Sequence, residues 1–208
     1  MLNGLEVTEV RLSDIYKGPI TFRFDSEYYQ KQFLKDEKLI EQSAPRFQRL
    51  AELGLEVDGS AFYPALEPYY GQGDLPFLRV ADVKNHVDFD TCARIPDEVL
   101  PLFPTLKLVQ AGDILLTKGG TIARAGLVTE RAAVSRDLIF INSSKLNELE
   151  HLFLALYFQT DFCHRLMVRS SSMSVQPHLT LTLVKELPVL IASEEFKEKL
   201  LCSFKAAQ

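Results

Sequence analysis

The apolar pattern of this chain changes period along its length, and that change restricts it to an architecture of helices at both ends with short strands between. From Asp25 the spacing is helical: Phe33, Ile40 and Phe47 recur every seven residues, with Tyr29, Leu39 and Leu50 alongside. Asp25 or Ser26 suits the N-cap, Glu27 lies in the first turn, and Pro45 kinks or divides the helix. Such a stripe packs either on another long helix or on the chain's own domain. Residues 54–75 abandon the period; Gly59, Pro64, Pro68, Tyr69, Tyr70, Gly71 and Gly73 spell an irregular loop region. Strands are expected at Phe77–Val80, Asp113–Thr117, Ile122–Val128 and Leu138–Asn142, with one or two helical turns over Pro96–Phe103.

Helical spacing returns at Asn147–Met167. Asn147 and Glu150 form a variant capping box, and Leu149, Leu152, Phe153, Leu156, Tyr157, Cys163 and Met167 outline a buried face. A polar loop and a strand are expected over 170–184. Ser193-Glu194-Glu195 then starts another amphipathic helix, with Phe196, Leu200, Leu201 and Phe204 on one side, still in stride at Gln208. The architecture is therefore expected to continue past the chain's end. At the other end, Leu5–Val10 reads as a short strand before the break at Gly18-Pro19. The fold class is α+β: a mixed, loop-rich β-domain over 55–192, an N-terminal strand and helical segment over 1–54, and the start of a distal helix over 193–208.

Composition limits the setting. Apolar residues make up 47% of the 208, enough for a real core. No run approaches the roughly 18 apolar residues that a membrane helix needs. The acidic N-terminus lacks a signal pattern, and Cys92, Cys163 and Cys202 are too dispersed for a disulfide framework or a metal knuckle. These features point to a soluble, cytoplasmic protein. The net charge of −5 argues against nucleic acid, but it is unevenly spread. Residues 1–104 hold 11 basic and 18 acidic side chains, whereas residues 105–185 hold 9 and 6. A mildly basic middle permits DNA binding without establishing it.

Signatures of catalysis are missing. His86, His151, His164 and His178 show no zinc spacing, and there is neither a phosphate-binding P-loop nor a nucleophile elbow. Gly71-Gln72-Gly73 runs into Asp74 and Pro76 rather than a helix, so it reads as a turn. The glycine motif and the Asn/Asp-Pro-Pro-aromatic motif of adenine methyltransferases are both missing. Asp113 with Lys118 suggests a nuclease only weakly, since metal-dependent cleavage needs several converging carboxylates. No cofactor or metal is expected.

Two polar clusters remain. Gly112–Arg124 is a strand running into a double-glycine turn that bears Lys118, Thr121 and Arg124; amides, a hydroxyl and two cations suit phosphate contact, although an ordinary hairpin has the same composition. Arg169–His178 is dense in hydroxyls with Gln176 and His178, side chains suited to base edges, and is equally the composition of a linker.

In this order the clusters resemble the target recognition domain of the specificity subunit of type I restriction–modification systems. Pro76–Val83 is similar to the family's "PFLR-x-x-D-I", and Gly112–Arg124 to its "GDIL-x-x-x-x-GTIGR". Ala133–Ile139 is similar to "x-x-S-x-x-L-I", and Ser171–Leu179 to "GS-x-Q-x-H-I". Leu187-Pro188-Val189, with the helix from Glu194, is similar to "LPVPLPPLEEQ". The resemblance spans about residues 55–205. Ala123 and Ser170 stand where the family has glycine, and the proline-rich linker shrinks to Ile191-Ala192-Ser193.

The resemblance implies a non-catalytic module that reads one half-site of double-stranded DNA and docks methyltransferase subunits around it, with a restriction subunit as a further partner. The usual member carries two such domains; this chain resembles one, which brings in pairing with a second copy or half-subunit. The contact set it implies is Arg79, Lys84, Lys118, Thr121, Arg124, Ser171, Gln176 and His178, and the 54–75 loop with Tyr63, Tyr69 and Tyr70 is a further reader. It assigns Phe33, Ile40 and Phe47, and Phe196, Leu200 and Phe204, to helix–helix contact. The alternative is an interaction module of a defence complex without DNA affinity, which the acidic N-terminal half favours.

Overall fold

Two runs, Ile114-Leu115-Leu116-Thr117 and Leu138-Ile139-Phe140-Ile141, are buried at every position, so both faces of the sheet they form must be covered. The computed structural model describes residues 7–16, 23–62, 64–84, 86–171 and 178–206, with side chains as far as 203. Its elements in order are α1 (Leu12–Ile15), α2 (Lys31–Gln42), β1 (Phe47–Arg49), β2 (Val57–Gly59), β3 (Leu75–Leu78), β4 (Ala93–Ile95) and α3 (Val99–Leu102). Then come β5 (Lys107–Val109), β6 (Ile114–Thr117), β7 (Ala125–Leu127), β8 (Ala132–Val134), β9 (Leu138–Ile141) and α4 (Glu148–Phe158). The chain closes with α5 (Asp161–Ser170), α6 (Leu181–Lys185), β10 (Pro188–Leu190) and α7 (Glu194–Ala206).

One sheet, ordered β2-β9-β6-β7, is antiparallel throughout. The other, ordered β4-β3-β8-β5, contains one parallel pairing, β3 with β8, and β1 pairs separately with β10. Side chains that alternate along a strand sort into different cores. Ile114, Leu116, Ile139 and Ile141 face the helices, packing with Phe158, Cys163 and Met167. Leu115, Leu138 and Phe140 point the other way, onto Leu78, Val109 and Val134 of the second sheet. The far face of that second sheet, carrying Phe77, Ile95 and Ala133, is closed by Phe62, Leu66 and Val99. The result is a stack of helices, sheet, sheet and a loop cover, a mixed α+β domain as the periodicity implied.

Several expectations are corrected. Phe47 lies on β1 opposite Leu190, not on the helix, because α2 stops at Gln42 and Pro45 starts a separate 3-10 turn. Phe33 is buried within the chain itself, and Ile40 packs against the helix-side core, so that stripe serves its own domain. The helix expected over Asn147–Met167 is two. Asn147 and Glu150 do form the capping box of α4, but Thr160 interrupts: its hydroxyl accepts from the Cys163 amide at 3.1 Å and caps α5. The segment expected as a strand before Leu187 is helix α6, capped by Thr180, whose alternation of Leu and Thr imitates a strand. Val7–Val10 form no strand, and Leu5 and Glu6 lie outside the described residues.

Ion pairs hold α2 on α5. Asp36, buried, accepts two hydrogen bonds from Arg165 at 2.6 and 2.9 Å, which holds the guanidinium above its ordinary pKa. Arg169, also buried, donates to Tyr28 O at 3.1 Å and Glu37 Oε2 at 2.9 Å, and stacks 4.3 Å above the Tyr28 ring. At the other end α7 lies against α4 through Phe196 on Phe153, with Phe196 still half exposed. Among the described residues no helix is long and apolar enough to cross a membrane.

Candidate nucleic-acid interface

Four loops that are far apart in sequence are joined at one end of the sheets by main-chain hydrogen bonds. Where β3 ends, Leu78 O accepts from Ser135 N at 2.9 Å. Two residues on, Asp137 O accepts from Lys118 N at 2.9 Å, and Lys118 O in turn accepts from Leu179 N at 3.0 Å. Backbone bonds of this kind do not depend on the side chains carried, so the side chains at 79–80, 118, 121, 136–137 and 178 can vary while the loops stay in place. Together they border a cleft of about 730 Å³ whose lining includes Lys118, Gly119, Gly120, Arg136, Asp137 and His178. A smaller cleft of about 320 Å³ adjoins it through Val80, Arg136 and Asp137, and adds Tyr70 and Arg79. A Cβ at Gly119 would come within 3.1 Å of the His178 ring, so a side chain there requires that ring to shift by a few tenths of an ångström.

The turn after β6 has its own support. Thr117, fully buried, accepts from the Arg124 amide at 3.0 Å through its hydroxyl. Ala123 takes a left-handed φ of 64°, a conformation that costs a side chain about 1 kcal/mol, which is why the family pattern has glycine there. It is held in place by its own amide, which donates to Thr117 O at 3.0 Å, and by His164, whose Nδ1 donates to Ala123 O at 3.0 Å.

The sequence-derived contact set divides on this geometry. Lys118 and His178 line the larger cleft and Arg79 the smaller. Thr121 and Arg124 are exposed on the turn beside the larger cleft but do not line it. Arg79 lies 5.7 Å from the Tyr70 ring and pairs with Asp82 at 3.3 Å. Burial works against its charge, but the hydrogen bonds and charges of Asp82 and Tyr70 together outweigh it and its pKa rises; burial raises that of Tyr70. Lys84 is exposed, pairs with Asp88 at 3.0 Å and lines neither cleft. Ser171 is a correction: it is fully buried and its hydroxyl donates to Val168 O at 2.7 Å, closing α5 rather than facing a ligand. Tyr69 is likewise committed, its ring against Phe103. Gln176 and Tyr63 lie outside the described residues, as does the side chain of Phe204.

The sequence reading missed Arg136 and Asp137. Their signal was a charged dipeptide between two fully apolar strands, β8 and β9, at positions that the family pattern leaves open. Asp113, weighed above as a nuclease carboxylate, is a structural acceptor: it is buried and takes the amides of Gln110 and Ser143 at 2.8 and 3.0 Å. No group of three or more His, Cys, Asp or Glu side chains gathers as a metal site among the described residues.

Comparison with known proteins gives the following. A family model described as the type I restriction modification DNA specificity domain matches residues 49–198. Among solved structures, a chain from a type I R-M system studied for complex assembly and conformational transition is 16% identical, with a TM-score of 0.52 over 84% of this chain and 44% of that one. The type IIG restriction endonuclease BpuSI is 10% identical, with a TM-score of 0.65 over 87% of this chain and 28% of that one. The HsdS subunit from Thermoanaerobacter tengcongensis is 14% identical, with a TM-score of 0.54 over 83% of this chain and 43% of that one. This chain thus spans less than half the length of each. None of the curated proteins matches it.

Proposed function

The chain belongs to the type I restriction modification DNA specificity domain family, and from that premise we propose that it reads one half-site of a double-stranded DNA target and docks methyltransferase subunits beside it. The observation that carries the proposal is the joining of four loops, through the backbones of Leu78, Lys118, Asp137 and Leu179, around clefts lined by Arg79, Lys118, Arg136 and His178. A fixed backbone with variable side chains at its rim is what a reader of different sequences needs. Lys118, Thr121 and Arg124 take phosphates, while His178 and Gln176 approach base edges. Residues 55–192 carry this surface, and the segments 1–54 and 193–208 flank it. The face of α7 with Phe196 and Leu200 meets a methyltransferase subunit, a restriction subunit or a second copy of the chain, in the cytoplasm. The module does no chemistry itself; its partners supply cofactor and catalysis.

The test is duplex binding over a salt series by the chain and its Lys118→Ala, Arg124→Ala and Gln176→Ala variants. If Lys118, Arg124 and Arg79 each neutralise one phosphate, the slope of log affinity against log salt is about −3. Each lysine or arginine variant brings it about one unit nearer zero without changing preference, whereas the glutamine variant relaxes discrimination at one base pair. If all three variants match the parent, this surface is not the DNA face and the reading as a protein-interaction module takes over.

A further inference from the structure

Asp137 is out of place on a phosphate-binding surface. Among the described residues it is the single carboxylate lining the larger cleft, beside Lys118, Arg136 and His178, and with Glu67 it also lines the smaller one. Its fold-supporting contact is made by its backbone, which accepts from Lys118 N. Its side chain lies 3.7 Å from Arg136 Nε with both side chains about half exposed, a separation at which an exposed pair contributes little. A carboxylate so placed repels phosphate and accepts only hydrogen bonds. In a DNA groove the donors open to it are exocyclic amino groups. Adenine sets its amino group beside its own N7 lone pair, which repels a carboxylate, whereas cytosine's own major-groove edge carries the N4 donor and no acceptor.

Resting on the DNA-reading function proposed above, we infer that Asp137 is a specificity-determining residue that accepts a hydrogen bond from cytosine N4 in the major groove. The surrounding cations hold the backbone close enough for one acceptor to choose a base. The prediction is sharp because amide and carboxylate are nearly isosteric yet read different bases. Asparagine both donates to N7 and accepts from N6, so Asp137→Asn exchanges cytosine for adenine at one position, while Asp137→Ala only removes the choice.

The experiment selects bound sequences from a randomised duplex library with the chain, Asp137→Asn and Asp137→Ala, after thermal melts establish that all three are folded. The parent should select cytosine at one position, the asparagine variant adenine there, and the alanine variant neither, with discrimination falling about 5- to 150-fold. Both variants should bind random duplex more tightly than the parent, because a negative charge has left the groove. If the parent selects a site and both variants select the same bases at every position, Asp137 is not a reader, while the DNA-binding function stands. If the parent binds no duplex at any salt concentration, both readings fall together.

Discussion

Replacing Asp113 tests whether the acid of the Gly-Asp pair belongs to the scaffold or to chemistry. Its two carboxylate oxygens accept from Gln110 N at 2.8 Å and Ser143 N at 3.0 Å, which ties the turn before β6 to the end of β9. A hydrogen bond to a charged acceptor is worth about 1.5–3 kcal/mol, and an amide left buried without a partner costs a similar amount. Alanine releases both amides. Gln110 is exposed, so water can replace its partner, whereas Ser143 is buried and its amide stays unpaired. We therefore expect Asp113→Ala to lose about 3–5 kcal/mol, a large share of the roughly 5–15 kcal/mol that holds a domain together. Asparagine keeps one oxygen but turns an NH2 toward the second amide, so about half that loss is expected. Urea unfolding measures it: with a slope on the order of 2–3 kcal/mol per molar, the alanine midpoint falls by about 1–2 M and the asparagine midpoint by less. An alanine midpoint equal to the parent's, or an asparagine variant weaker than the alanine one, would refute this reasoning.

The clamp between α2 and α5 gives a second test. Arg169→Ala removes the donor to Tyr28 O and Glu37, and should cost about 3–5 kcal/mol in thermal or urea unfolding, with Arg169→Lys intermediate because it keeps the charge and loses the planar fork. Thiol titration checks the core independently. Burial pushes the Cys163 and Cys92 thiols upward, so in the native protein only the exposed Cys202 should react quickly with a thiol reagent, and the other two only on unfolding.

Much of the fold is legible in sequence where local chemistry decides it. The capping box of Asn147 and Glu150, the four expected strands and the turn at Pro96–Phe103 depend on neighbours a few residues away, and they are present within three residues of the expected bounds. What was not legible depends on distant partners. β1 and β10 are three residues each and exist because they pair with each other; alone, neither Phe47–Arg49 nor Pro188–Leu190 shows a strand pattern. Phe33 and Phe47 fit one seven-residue repeat on paper, yet Pro45 sends one to a helix and the other to a strand. The same division holds at the site. Lys118 and His178 were named from composition, but their meeting at Gly119, and Asp137 beside them, follow from strand order, which no window of sequence contains.

The charge balance shows most clearly how folding redistributes what a sequence offers. Residues 105–185 carry an excess of three positive charges, which suggests a broadly basic DNA face. In the folded chain Arg165 and Arg169 of that segment turn back to Asp36 and Glu37, and Lys107 and Arg131 pair with Asp58 and Asp97. The acidic N-terminal half, the feature that argued most strongly against DNA, thus absorbs cations whose positions lie away from the clefts. Among the described residues of that segment Lys118, Arg124, Lys145 and Lys185 carry no ion pair, and the first two belong to the turn beside the larger cleft. Few cations are left without an ion-pair partner, and two of them stand where the loops meet. A surface of that kind is expected to bind DNA weakly, with the shallow salt slope proposed above, and to leave discrimination to a small number of side chains at the rim of the joined loops.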